Sequence, residues 1–557
     1  MFSPLRWLLG KAVLMQAKRF RAKFRTLTID PRKTQRDWLL RRLSEHKDTA
    51  FGRDHGFADI RTVEDFRRRI PITTYDYFAP YIERVKAGEY SAMFHNQRVI
   101  MFAMTSGTTN TRKFIPVTEQ FLNDYRRGTT IWGLQMFEDH KELWFKTMVQ
   151  LVSDWDEFRT SADIPCGSIS GLTTQMQRYV VRKTYCLPAA SGKIKDIQSK
   201  YYLAWRLGLV RDVGIFVSAN PSTMVSIARF GDEIKDILIR DIHDGTIDSR
   251  FQISDQIRRI EKKRLGANKA RAKELEAIVR RTDRLLPKDV WPNLGLIGNW
   301  TGGSVGAYMR NYPEYYGNPA IRDLGLVASE GRMTVPFHDF TSGGTLEITS
   351  SFFEFVPVDE MGSPDPTVLE SHELQEGRDY FILLSTSSGL YRYNIHDVVR
   401  CVGWHERTPI LEFLNKGSNF SNLTGEKISE HHATQAVIKA AESVGVRLAA
   451  FTLAPIWEEP YPHYGLFVEV SDFADESQRV RFAEKVEEHL RIENTEYEAK
   501  RDSLRLGPIR LKLLQKGFWR SWDTERLMRT GGTAEQYKHP NLIANVEFCT
   551  QIQILNG

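Results

Sequence analysis

Short apolar runs recur along the first three-quarters of the chain, and several are separated by stretches whose apolar residues repeat at helical spacing. The runs Arg98–Met104, Met148–Val152, Gly214–Val217, Leu294–Gly298, Gly325–Ala328, Thr345–Ile348 and Tyr380–Leu384 read as strands, being short, apolar and bounded by polar or turn residues. Residues 33–70 read as helical around Trp38, Leu39, Leu40, Leu43 and Phe66, until Pro71 and the Ile-Thr-Thr after it start an extended stretch. Beyond Phe413 the pattern predicts a helix over 431–445, strands over 448–454 and 463–470, and a second amphipathic helix over 476–494. This alternation predicts an α/β protein, with a large N-terminal domain of several mixed sheets over 1–412 and a smaller α+β domain over 413–557. No internal repeat, low-complexity tract or long Gly/Ser linker interrupts it.

Composition narrows the class. A chain of 557 residues that is 41% hydrophobic and 11% aromatic buries a sizeable interior and does not read as disordered. Seventy-seven basic against 70 acidic side chains leave +7, a mild bias that speaks against nucleic acid as the partner. The segment Arg258 to Lys288 is dense in both signs and reads as solvated helix, with Lys273, Glu274 and Glu276 available for pairing. Four cysteines without a Cys-x-x-Cys pair are no disulfide framework and suit a reducing cytoplasm. At the N-terminus, Lys11 breaks the apolar run and no small-residue cleavage site follows, which speaks against a signal peptide. An amphipathic helix docked on the main body is expected there. Nowhere does the chain approach the roughly 20 apolar residues of a membrane span, so no stable membrane insertion is expected.

Chemistry concentrates in a few loops. Directly after the Arg98–Met104 run comes Thr105-Ser106-Gly107-Thr108-Thr109-Asn110-Thr111-Arg112-Lys113. Its hydroxyls and backbone N–H groups suit phosphoryl oxygens, Gly107 allows close approach and Lys113 offsets charge, although the spacing is not that of a Walker loop. Further along lie Ala328-Ser329-Glu330-Gly331, the segment Gly389 to Arg400 with Ile395-His396-Asp397, Phe413 to Lys416, Gly425 to Glu430, and Gly531 to Pro540 with Lys538. Thr49 to Phe57 and Phe66 to Ile72 complete the set. In order, spacing and content this set resembles the Gretchen Hagen family of acyl-acid-amido synthetases, a branch of the adenylate-forming superfamily, and the resemblance spans nearly the whole chain.

The resemblance implies an ATP- and Mg²⁺-dependent ligase that adenylates a carboxylic acid and passes the acyl group to an amine, normally an amino acid. It implies that Thr105, Ser106, Gly107, Thr108 and Thr109 hold the phosphates, with Ser329 beside them. Glu330 would position Mg²⁺, Asp397 would accept from the ribose hydroxyls, and Lys538 would reach the nucleotide when a mobile C-terminal domain closes. Trp300, Thr301 and Tyr308 are the candidates for the acyl pocket. Three departures from the family pattern stand out. Leu326 replaces an aromatic residue, His396 replaces the glycine before the aspartate, and Lys416 replaces an arginine. Three other readings remain open: a thioester ligase using coenzyme A or a carrier protein, a serine hydrolase, and a non-enzymatic basic binding protein. The hydrolase reading rests on Gly302-Gly303-Ser304-Val305-Gly306, which fits a nucleophile elbow. Adjacent His431 and His432 make no persuasive metal motif.

Overall fold

The structure, a computed structural model, describes residues 4–105, 112–177, 179–262, 265–302, 309–361, 363–417, 420–421, 423–424, 426, 428–458, 462–502, 506–530 and 537–552. Two compact units divide it. The first takes most of the chain up to Glu412; the second takes the chain from Phe413 onward, together with Gly302 and His396–Val399.

In the first unit the helix Pro4–Thr28 lies along the helix Glu119–Asp139, with Phe24 buried and Arg21 paired to Glu138 at 3.1 Å. The stretch read as one helical region breaks into Pro31–His46, Ala50–Asp54 and Val63–Arg69. Thr49 starts a new helix by accepting from the Gly52 N–H, and Gly56 takes a left-handed φ of 60°. Buried Gln35 ties the first of these helices to the strand Ser351–Pro357, donating to the carbonyls of Ile348 and Ser351 and accepting from the Phe353 N–H.

Three main sheets build this unit. A four-stranded sheet runs in the order Lys113–Thr118, Val99–Thr105, Pro165–Gly167, Phe158–Arg159. A second, wholly parallel, runs Thr147–Gln150, Val213–Val217, Leu296–Asn299, Ala320–Asp323. A seven-stranded sheet includes Ser351–Pro357, Asp379–Thr386, Tyr393–His405 and Thr408–Lys416. Of the run read as a strand over 325–328, only Val327–Ala328 is one, paired antiparallel to Gly331–Arg332. The charge-rich segment forms the helices Asp255–Lys262 and Lys269–Thr282, with Arg271–Glu274 and Arg280–Glu276 pairs. Two of its arginines do more: Arg258 and Arg271 donate to backbone carbonyls of neighbouring segments.

The second unit carries a three-stranded sheet in the order Phe451–Ile456, His463–Glu469, Arg510–Leu514. The helices Glu430–Val444 and Glu476–Glu493 supply Ala436, Val437, Phe482 and Val486 to its core. No described helix is long and apolar enough to cross a membrane, and all four cysteines are free.

Two features of the first unit are packed around a glycine. Gly231, inside the helix Pro221–Glu233, lies against the fully buried ring of Trp205, which stacks on Trp291 at 4.9 Å and donates to the Ile227 carbonyl at 2.7 Å. The other feature is a buried polar layer at Gly128 of the Glu119–Asp139 helix. A Cβ there would lie 2.6 Å from Arg332 Cδ and 3.2 Å from Glu347 Cγ. Arg332 donates to the Leu324 carbonyl at 2.6 Å and to Thr129 Oγ1 at 3.3 Å. The Glu347 carboxylate accepts from the hydroxyls of Thr349 and Ser350. Burial pushes the Glu347 carboxyl up to about 7 and the Arg332 guanidinium down to about 10.

Gly231→Ala is expected to destabilise the protein by about 1–3 kcal/mol, because overlap with an immovable ring outweighs the better helix propensity. Gly133→Ala in the Glu119–Asp139 helix meets nothing within 4 Å and should stabilise by up to about 1 kcal/mol. Urea unfolding midpoints of the two variants check both signs. A second test concerns pH. A carboxyl whose folded value is raised from 4.5 to about 7 contributes stability fully below the unfolded value, and that contribution is lost as pH rises through the folded one. Unfolding free energy is therefore expected to fall from pH 5 to pH 8 by on the order of 3 kcal/mol more in the parent protein than in Glu347→Gln. Parallel pH profiles for the two would contradict it.

Candidate active site

The site residues of the first unit sit on strand ends and tight turns, where side chains leave the rigid sheets. Thr105 closes its strand opposite Lys113. Ser106, Gly107, Thr108 and Thr109 lie outside the described residues, as do Tyr308 and Ser304, so the phosphate loop is described only by its two ends. At one end Lys113 is held between aromatic rings, its Nζ 5.9 Å from the ring centroids of both Tyr75 and Tyr393 and 3.4 Å from the Tyr393 hydroxyl. Tyr75 is fixed in turn, accepting from the Phe114 N–H at 2.9 Å, and burial pushes its phenol up to about 12.

Ser329 and Glu330 form the two-residue turn of the hairpin between Val327–Ala328 and Gly331–Arg332. Glu330 is 8% exposed. Its negative charge and burial together raise the phenol of Tyr125 on the Glu119–Asp139 helix, with burial the larger cause. A Cβ at Gly331 would come into ordinary contact with Leu384 and Thr386, which places the turn near the end of the Asp379–Thr386 strand. Arg332 braces the returning arm against Leu324 and Thr129. Leu326 stands at the start of this motif, its N–H donating to Thr334 Oγ1 at 2.8 Å.

Trp300 and Thr301 follow the strand Leu296–Asn299 at the carboxyl end of the parallel sheet, where open α/β sheets place their ligands. A single buried carboxylate organises them. Asp323 Oδ2 accepts from both the N–H and the hydroxyl of Thr301 at 2.6 Å, and Oδ1 accepts from the Gly325 N–H at 2.5 Å. Trp300 Nε1 donates to the Gly325 carbonyl at 3.1 Å. Burial raises the Asp323 carboxyl above its ordinary value, against these hydrogen bonds. Trp300, Thr301, Asp323 and the arm leading to Ser329 and Glu330 thus form one hydrogen-bonded assembly. Sequence reasoning missed Asp323. The run Ala320–Asp323 carries Arg322 in its interior and does not look like a strand. Arg322 is nevertheless buried, paired to Asp139 at 2.8 Å and to Asp339 at 2.6 Å.

Arg392, three residues into the family-like segment, has φ 50°. It is pinned by Glu354 at 3.0 Å and by the Ile70 carbonyl at 2.7 Å.

Asp397 and Lys538 belong to the second unit. Asp397 is 4% exposed, and His396 before it adopts φ 61°, in the left-handed region that favours glycine. The His396 carbonyl accepts from the Gly417 N–H at 2.6 Å. Where the family pattern has glycine, this chain keeps the glycine conformation with a histidine in it. The side chain of Lys416 lies outside the description. Lys538 is exposed on a segment of irregular backbone, its Nζ 5.4 Å from the centroid of the Phe413 ring.

Comparison with known proteins agrees with this layout. A model described as the GH3 family N-terminal domain matches residues 20–321, one for the GH3 family central domain matches 344–416, and one for the GH3 family C-terminal domain matches 431–547. The jasmonoyl–L-amino acid synthetase GH3.5 of Oryza sativa subsp. japonica is 23% identical over 96% of this chain and 96% of its own. The indole-3-acetic acid-amido synthetase GH3.10 of Arabidopsis thaliana is 23% identical over 90% of each. Among solved structures, a GH3.15 acyl acid amido synthetase superposes with a TM-score of 0.82 over 95% of both chains at 20% identity, a likeness of fold. With the N-terminal model alone matching more than half of the 557 residues, the chain belongs to the GH3 family, ligases that act as acyl-acid-amido synthetases.

Proposed function

We propose that this chain joins a small carboxylic acid to an amino acid through an acyl-adenylate formed from ATP, in the cytoplasm and without a nucleic-acid partner. The observation that carries the reading is the setting of Glu330. It is a nearly buried carboxylate at a hairpin turn, on an arm whose start at Gly325 is hydrogen-bonded to Trp300 and Asp323. A carboxylate is a poor electrophile, so its oxygen first attacks the α-phosphorus of ATP. An O–P bond forms, the bridge to the β-phosphorus breaks, and pyrophosphate leaves. The amino nitrogen of the second substrate then attacks the acyl carbon. A C–N bond forms, the C–O bond to AMP breaks, and the amine gives up a proton.

Thr105, Ser106, Thr108 and Thr109 are assigned to the phosphates as hydroxyl donors, with Gly107 giving backbone access and Ser329 lying beside Glu330. Glu330 would hold a magnesium ion, whose positive charge would favour departure of pyrophosphate. Asp397 accepts from the ribose hydroxyls. The Lys538 ammonium offsets charge on the transferring phosphoryl group. Trp300, Thr301 and Tyr308 line the acyl side, where Asp323 fixes Thr301. Residues 413–557 act as a lid that keeps water from the adenylate.

Carboxylate-dependent exchange of labelled pyrophosphate into ATP tests this, across aryl and alkyl acids that include the indole and jasmonate types. Exchange with at least one acid is expected, with a loss of about 100-fold or more in Glu330→Ala and in Lys538→Ala. Unchanged exchange in Glu330→Ala would overturn the assignment. Release of AMP stimulated by amino acids and not by coenzyme A separates amide from thioester formation. At His396 a separate outcome is expected. His396→Gly should unfold at an unchanged or higher urea midpoint, because glycine removes about 1 kcal/mol of backbone strain. A clear loss of stability would mean that the imidazole more than offsets that strain.

A further inference from the structure

Lys538 has no regular secondary structure to aim it, yet its neighbours are held on both sides. Asp523, on the helix Phe518–Thr530, accepts with one oxygen, Oδ1, from the Tyr537 hydroxyl at 2.7 Å and from His539 Nδ1 at 2.8 Å. The His539 ring is buried, edge-on to Trp519 with centroids 4.6 Å apart, and its Nε2 lies 3.0 Å from the Phe451 carbonyl. Downstream the chain is pinned to the Phe451–Ile456 strand. Leu453 donates to the Asn541 carbonyl at 2.9 Å, and the Asn541 N–H donates to Glu430 Oε1 at 2.7 Å. In extended backbone, residues two apart point to one face and the residue between them to the other. Tyr537 and His539 both turn toward Asp523, while Lys538 is exposed.

We propose that Asp523 is a positioning residue for the adenylation step. By gripping Tyr537 and His539 with a single oxygen, it fixes the face from which Lys538 projects. The inference rests on the role given to Lys538 above. Without the grip, the direction in which Lys538 projects is less closely fixed. The ammonium then spends only part of its time in the reactive geometry, which lowers turnover and leaves binding of the acid intact. Asp523 touches neither substrate nor nucleotide in this account; it acts through the backbone of residues 537–539.

The test is pyrophosphate exchange with the panel acid that gives the fastest rate, in the full chain. Asp523→Ala should lower kcat by between about 10- and 100-fold with KM for the acid unchanged. Asp523→Asn, which keeps an oxygen acceptor in place, should recover most of the loss. Tyr537→Phe combined with His539→Leu removes both donors and should reproduce the loss even where Asp523→Ala folds poorly. Decisive is the double variant with Lys538→Ala, which should be no slower than Lys538→Ala alone. Full additivity would mean that Asp523 acts elsewhere and would overturn the proposal. Normal exchange in Asp523→Ala beside a slow Lys538→Ala would overturn it and leave the role of Lys538 standing. Normal exchange in Lys538→Ala would remove that role and this inference with it.

Discussion

The chain at the carboxyl edge of the parallel sheet depends on one buried carboxylate. Asp323 ends a parallel strand whose interior holds Arg322, and there it satisfies three donors: two on Thr301 and the N–H of Gly325. Leaving such a carboxylate buried without them costs several kcal/mol, so the turn at Gly325 and the course of Thr301 are tied to it. The carbonyl of Gly325 then receives Trp300. Trp300, Thr301 and the start of the arm that carries the Ser329-Glu330 turn are therefore set from the carboxyl edge of the parallel sheet, a rigid element, and not from loop propensity.

The same logic extends below the hairpin. Arg332 and Glu347 occupy the space left by the missing side chain of Gly128, and their own ionisation is suppressed by burial in opposite directions. A layer of this kind adds little net stability, since desolvation offsets most of the attraction. What it supplies is registry. Arg332 reaches Leu324 and Thr129 together only when the hairpin and the Glu119–Asp139 helix are in one relative position. For the metal- and phosphate-binding role proposed for Glu330, its carboxylate has to be held by groups that do not yield to charge.

Much of this was legible in the sequence, and the boundary between what was and what was not has a physical cause. The apolar strands and the two amphipathic helices of the second unit announce themselves because their pattern is local. Glu330, Asp397 and Lys538 are proposed from the order of the motifs around them. Asp323 and Asp523 are not, because each is an unremarkable acid until the fold brings its donors from elsewhere, at Thr301 and at residues 537–539. The run 325–328 misled for the opposite reason. Its apolar residues look like a strand, but Gly325 at φ 83°, held by Asp323, turns the chain and leaves only two residues to pair. Residues 33–70 show how a capping threonine and a left-handed glycine divide a helical pattern that apolar spacing alone leaves whole.

The segment around Asp397 shows the balance struck when a family position changes. Arg392 and His396 both have positive φ, a conformation that costs a side-chain-bearing residue about 1 kcal/mol or more. At Arg392 the offset is visible, since its guanidinium bonds the buried Glu354 carboxylate and the Ile70 carbonyl. At His396 the backbone supplies part of it through the Gly417 N–H. The extended strand resumes at once, with Asp397, Val398 and Val399 all buried. The His396 carbonyl is held by the Gly417 N–H, so the histidine adapts to a left-handed backbone directly before the buried Asp397.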